Sequence, residues 1–82
     1  MMTKDTTRQF NAILTRVLEI SEHQIADILT LESLPSWDSF SALMLISELE
    51  AGFAVRFTMD EITTIKNVGD IKQSLHKRRI EV

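Results

Sequence analysis

The stretch Leu34-Pro35-Ser36-Trp37-Asp38-Ser39-Phe40-Ser41-Ala42-Leu43 decides the fold. It reads as a loop that turns into a helix, with a hydroxyl at the turn. Pro35 discourages a helix from running through the stretch. Ser36, Asp38 and Ser39 are all good helix-starting residues, because short polar side chains can satisfy free backbone N–H groups there. Apolar residues then recur at helical spacing in two rows: Phe40, Leu43, Ile46 and Leu45, Leu49, Phe53. Ser39 therefore falls in the first turn, near unpaired N–H groups. The positive end of the helix dipole points at that place, which favours an attached or bound phosphate.

Downstream, the spacing predicts this second helix over 38–51, with Gly52 placed to close it. The helix is apolar on more than one side, and a surface helix shows a narrower stripe. Either it is central in a bundle, or some apolar side chains face a partner or a ligand. Phe53, Val55 and Phe57 then alternate with Ala54, Arg56 and Thr58, a strand pattern in isolation. One strand has no visible partner here, so an extended loop tucking those three side chains inward is expected. Thr58 and Glu61 match a capping box that opens a short helix at 59–65. Asn67-Val68-Gly69-Asp70 carries turn chemistry. A last helix is predicted over 69–79, with Val68, Ile71 and Leu75 inward and basic residues at its C-terminal end, where the dipole favours them.

Upstream, Phe10, Ile13, Leu14, Val17 and Leu18 mark one buried face of a first helix over 3–19, with Lys4, Arg8 and Arg16 on the wet face. Residues 20–37 form a long connection. A structureless loop of that length is unusual in a small domain. It is expected to pack on the core through Ile25, Ile28, Leu29, Leu31 and Leu34, with a helical turn near 22–29. The fold class is thus all-α: a small bundle of three main helices and one short one, in a single domain spanning 1–82.

The bulk properties narrow the function. A chain of 82 residues makes one small domain with a limited core. It has no cysteine, so it has no disulfide framework, thiolate metal site or cysteine nucleophile. No apolar run approaches the roughly 20 residues of a membrane span. The polar N-terminus shows no secretory signal, so a cytoplasmic location is the default expectation; a monomer is expected as well. Residues 19–61 hold nine acidic residues against Arg56 alone, a local charge of −8. That argues against nucleic acid around Ser39 and suits partners with a basic docking patch. His23 and His76 sit in polar or basic stretches without companion ligands. With two glycines the chain cannot build a glycine-rich phosphate cradle, and no metal-binding pattern occurs. An enzyme is therefore not expected.

Asp38-Ser39-Phe40 in this setting resembles the Asp-Ser-Leu signature of acyl carrier proteins, in a Trp-Asp-Ser form. The flanks carry the resemblance further. Glu48-Leu49-Glu50-Ala51-Gly52-Phe53, Val55-Arg56-Phe57, Asp60-Glu61-Ile62 and Ile65-Lys66-Asn67-Val68-Gly69-Asp70 follow in the family's order without a gap. The resemblance covers nearly the whole chain, best over 31–75. It implies a bundle with a long loop between the first and second helices. It also implies a 4′-phosphopantetheine arm on Ser39, with Asp38 as an adjacent recognition or metal-proximal carboxylate. The arm would hold acyl or aminoacyl groups as thioesters. A phosphopantetheinyl transferase would attach it, and an acyl-activating enzyme, acyltransferase or synthase would use it. Trp37 would either pack the loop beside Ser39 or contact a partner or acyl chain.

The departures redirect the expectation. Phe40 replaces the leucine after the serine and is bulkier. Ser41 and Met44 stand where fatty-acid-synthesis carriers place acids. Docking through Phe40, Ser41, Met44 and Glu48 should therefore be more apolar, in a specialised rather than a housekeeping pathway. Two alternatives remain: a peptidyl or aminoacyl carrier of nonribosomal type, which would lack its usual glycines here, and a carrier-like binding module without the arm.

Overall fold

The computed structural model describes residues 2–82, with side chains from residue 6 onward, so the side chain of Lys4 lies outside the described ones. Four α-helices follow one another: α1 Met2–Leu18, α2 Ser39–Phe53, α3 Met59–Thr64 and α4 Val68–His76. Among the described residues there is no strand, only an isolated antiparallel bridge between Thr30 and Asn67. The all-α expectation therefore holds. The core forms where Phe10, Ile13, Leu14 and Leu18 of α1 meet Leu45 and Leu49 of α2 and Val68, Ile71 and Leu75 of α4. Removing these side chains from water is the main force holding the bundle together.

The long connection earns its order in two ways. Short 3-10 turns form at Glu22–Gln24 and Leu31–Ser33, and Leu31 and Leu34 drop into the core. The loop backbone is also tied to the entry of α4. Leu31 N donates to Lys66 O at 3.0 Å, Val68 N to Leu29 O at 3.1 Å and Gly69 N to Asp27 O at 2.9 Å. A Cβ on Gly69 would sit 3.2 Å from Asp27 O, so a glycine lets the two backbones run this close. Ile28 departs from expectation: it points into solvent.

Helix ends differ from the sequence reading in instructive ways. Helix α2 does not close at Gly52. It continues to Phe53, and Ala54 takes the left-handed conformation (φ 56°, ψ 47°) with its N–H on Glu50 O. Gly52 serves packing instead. Gln9 Nε2 donates to Gly52 O at 2.8 Å, and a Cβ there would lie 2.9 Å from Gln9 Nε2 and 3.2 Å from Ile13 Cδ1. A side chain at Gly52 would thus have to push aside the ends of Gln9 and Ile13 of α1. A branched one would crowd both and displace Gln9 from Gly52 O, so Gly52→Val should cost about 1–2 kcal/mol by overpacking. Thermal denaturation beside Gly52→Ala checks this. If valine melts no lower than alanine, the close approach is not limiting.

The capping box at α3 forms as expected, with Glu61 N on Thr58 Oγ1 at 3.1 Å and Thr58 N on Glu61 Oε1 at 2.8 Å. The extended run expected over 53–58 is shorter, 55–58, because α2 takes Phe53 and Ala54 turns left-handed; the inward packing holds, with Phe57 buried and Phe53 and Val55 half-buried on the core. Asn67 does more than break the chain. It caps α4 by accepting from Asp70 N at 2.8 Å, while Asp70 accepts in return from Asn67 N. Helix α4 ends at His76 rather than 79, and residues 77–79 turn the chain back. Ile80 and Val82 then pack on the core.

Candidate functional site

Three polar residues compete to start α2, and each receives a different task. Asp38 takes the cap: Ser41 N donates to its Oδ1 at 2.8 Å. The hydrogen bond from the Ser41 backbone N–H, first among the causes, holds its carboxyl below the ordinary aspartate range. Ser36 Oγ donates to Leu18 O at 2.8 Å, and Ser41 Oγ donates to Ser36 O at 2.6 Å. These two bonds clamp the end of the loop to the last turn of α1. Trp37 is half-buried and packs on the core behind this clamp, so packing claims much of its surface. Its backbone N–H donates to the carbonyl oxygen of the buried Leu34 at 3.1 Å.

Ser39 is the first residue of α2 and is exposed. The clamp is made by Ser36, Asp38 and Ser41, and the Ser39 hydroxyl takes no part in it. Its neighbourhood is rigid while its own oxygen stays open to solvent at the positive end of a 15-residue helix. An anionic group on that oxygen would meet a favourable dipole and no steric wall. Among the described residues no cluster of His, Asp or Glu could hold a metal ion, and His23 and His76 are exposed.

The two apolar rows of α2 part company. Leu45 and Leu49 are buried, and Ile46 is half-buried. Phe40, Leu43 and Met44 are 71%, 67% and 40% exposed. The surplus apolar surface thus faces outward, next to Ser39. Of the four residues expected to dock a partner, Phe40 and Met44 lie on this open face. Ser41 is turned into the clamp, and Glu48 is ion-paired to Arg16. Leu43 belongs to the open face and was missed, since the sequence reading left the inward row undecided. The signal was available: rows 40/43 and 45/49 cannot both face one core. Met59, at the start of α3, is exposed as well.

No protein-family model matches the chain. A search of curated proteins likewise gives no significant match. Among solved structures, the chain is similar to a candidate acyl carrier protein from Mycobacterium tuberculosis. The two share 27% identity with a TM-score of 0.76, over 95% of this chain and 99% of that one. The four-helix architecture of this chain matches the acyl carrier protein fold.

Proposed function

We propose that the chain is a phosphopantetheine-bearing acyl carrier with Ser39 as the attachment site. The carrying observation is Ser39 itself: an exposed hydroxyl at the first residue of α2, on a rigid clamp, in a fold matched along 95% of the chain. The residues fit the arm. The helix dipole favours a phosphodiester at that oxygen. Asp38 holds the first turn in place and offers a carboxylate beside the serine for recognition by the transferase. In the loading step the Ser39 Oγ–phosphorus bond forms as the pyrophosphate bond of coenzyme A breaks. The nucleotide half leaves, and the hydroxyl proton passes to a base of the transferase. When bound, the arm supplies a thiol that this cysteine-free chain lacks. The tether then keeps a thioester-linked group at high effective concentration near any docked enzyme.

In this reading the chain is a carrier and not an enzyme, acting in the cytoplasm. Its partners are the transferase and the acyl-activating enzyme, acyltransferase or synthase that uses the load. Phe40, Leu43 and Met44 form the centre of the docking face, with Glu48 on its flank. An apolar face of this kind suits a dedicated partner rather than the acid-reading enzymes of housekeeping synthesis.

Incubation with coenzyme A, magnesium and a broad-specificity phosphopantetheinyl transferase should add one phosphopantetheine, read by intact-protein mass spectrometry. An unchanged mass beside a control carrier that is fully converted would overturn the reading. A carrier-like module without an arm would then be left.

A further inference from the structure

The open face of α2 is short of charge. The helix holds two charged residues, Glu48 and Glu50, and no cation. Glu50 is put to structural use: its Oε2 accepts from Phe57 N at 2.9 Å and so braces the extended segment 55–58. Glu48 is left in the row of Phe40 and Met44, since positions 40, 44 and 48 lie four apart on the helix. It does not meet solvent alone. Arg16 of α1 reaches across and donates from Nη2 to Glu48 Oε1. Arg16 also borders Phe40 and Met44 in the cleft between the two helices. The pair lies at the surface, with the Arg16 side chain 61% exposed and that of Glu48 37%. An exposed pair adds little to stability, so its main consequence is for the field that an approaching partner meets.

We propose that Arg16 is a specificity-determining residue: by pairing with Glu48 it cancels the one carboxylate that α2 presents beside its apolar face, and so turns away enzymes that dock carriers through a basic patch. The inference rests on the carrier reading above and names the class of partner that the docking face refuses. An enzyme cation arriving at Glu48 meets a pair of zero net charge. It must displace Arg16 to gain the carboxylate, and its steering over distance is lost as well. The apolar contacts are untouched, because Phe40, Leu43 and Met44 stay exposed. A partner that reads those side chains by shape loses nothing. Discrimination then comes from withholding an attraction that the wrong partner needs. The origin of the charge supports this. Residues 19–61 hold nine acids against Arg56 alone, so a neutralising cation has to come from outside that segment, and α1 delivers it at the docking row.

The test is loading of the full chain, with coenzyme A and magnesium, by a phosphopantetheinyl transferase whose docking surface is basic, at about 0.1 M salt. If the parent chain gains no arm while a control carrier is fully converted, the carrier reading and this proposal fall together. If it gains the arm, Arg16→Ala should lower the KM for the chain about threefold, the size of one exposed ion pair, with kcat unchanged. Adding Glu48→Gln should cancel that gain. Arg8→Ala removes the same charge from an exposed site two turns earlier on α1. That site is about 12 Å away at the helical rise, beyond the roughly 10 Å screening length, so KM should stay in place. The gain should also vanish at about 0.5 M salt. Arg16→Gln, which keeps an aliphatic stem beside Met44, serves as the second variant, and thermal melting checks that each chain folds. A KM that falls in neither Arg16 variant, or a fall that survives Glu48→Gln or high salt, overturns the proposal while the carrier reading stands.

Discussion

Ser39→Ala is expected to lose phosphopantetheine completely, with stability within about 0.5 kcal/mol of the parent chain, as for an exposed substitution. Both halves follow from the geometry. The cap of α2 comes from Asp38 to Ser41 N, and the loop clamp from Ser36 and Ser41, so removing the Ser39 hydroxyl disturbs neither. Alanine is also the better helix former at the first helical residue. The neighbouring serines cannot take over without damage. The Ser36 hydroxyl is half-buried and bonded to Leu18 O, and that of Ser41 to Ser36 O. Ser41→Ala should therefore still gain the arm, though the loop clamp loosens. Circular dichroism confirms that each variant folds, and intact mass reads the arm. A Ser39→Ala chain that still gains one phosphopantetheine would move the attachment elsewhere. A Ser39→Ala chain that unfolds would mean the hydroxyl is structural.

Much of this site was legible because its signals are local. A polar cluster behind Pro35, followed by helical periodicity, locates the start of α2. Thr58 with Glu61 three residues on locates the start of α3. Both depend on contacts within one turn. What escaped depends on the third dimension. Gly52 looks like a helix terminator, yet it is held inside α2 because Gln9 and Ile13 of α1 come within about a Cβ's reach of it. The terminating left-handed turn falls to Ala54, a residue with no special preference for it. Phe40 and Leu43 look as buried as Leu45 and Leu49 until the position of α1 and α4 decides which row faces inward. Asn67 with Asp70 is a capping box with Asn and Asp in place of the usual Ser or Thr and Glu, visible only once the side chains are seen to exchange bonds. The basic residues after α4 suggested a dipole contact, but Arg78 has a more specific role.

Arg78→Ala should be the most destabilising change outside the apolar core, costing about 3 kcal/mol. The guanidinium joins three parts of the chain. Nη1 donates to Glu61 Oε2 at 2.9 Å and to Ser74 O at 2.8 Å. Nη2 donates to Glu61 Oε1 and to Arg56 O, both at 2.6 Å. The group also lies 5.1 Å from the centre of the Phe57 ring. It thereby fastens α3 and the extended segment 55–58 onto the end of α4. The Arg78 and Glu61 side chains are only 22% and 11% exposed. Removing Arg78 leaves a largely buried carboxylate with only the longer Lys77 contact at 3.3 Å and the Thr58 N–H, which costs more than losing an exposed pair would. A domain of this size holds roughly 4–12 kcal/mol in total, so the loss is a large share of it. Arg78→Lys should recover only part, because an ammonium cannot make the two-pronged contact with Glu61.

The same pair sets an acid limit. Hydrogen bonds from Arg78, then from Thr58 N, hold the Glu61 carboxyl far below its ordinary value of 4.5. A carboxyl whose folded pKa is depressed contributes fully above its unfolded value and loses that contribution as pH falls toward the folded one. The parent chain should thus lose stability steadily below about pH 4.5. Arg78→Ala, already without the pair, should lose less, and the gap between the two should narrow as the pH drops. Urea unfolding at several pH values between about 7 and 3 measures that gap. A gap of constant size across the range would show that Arg78 stabilises the fold through packing on Phe57 and its backbone contacts rather than through the charge of Glu61.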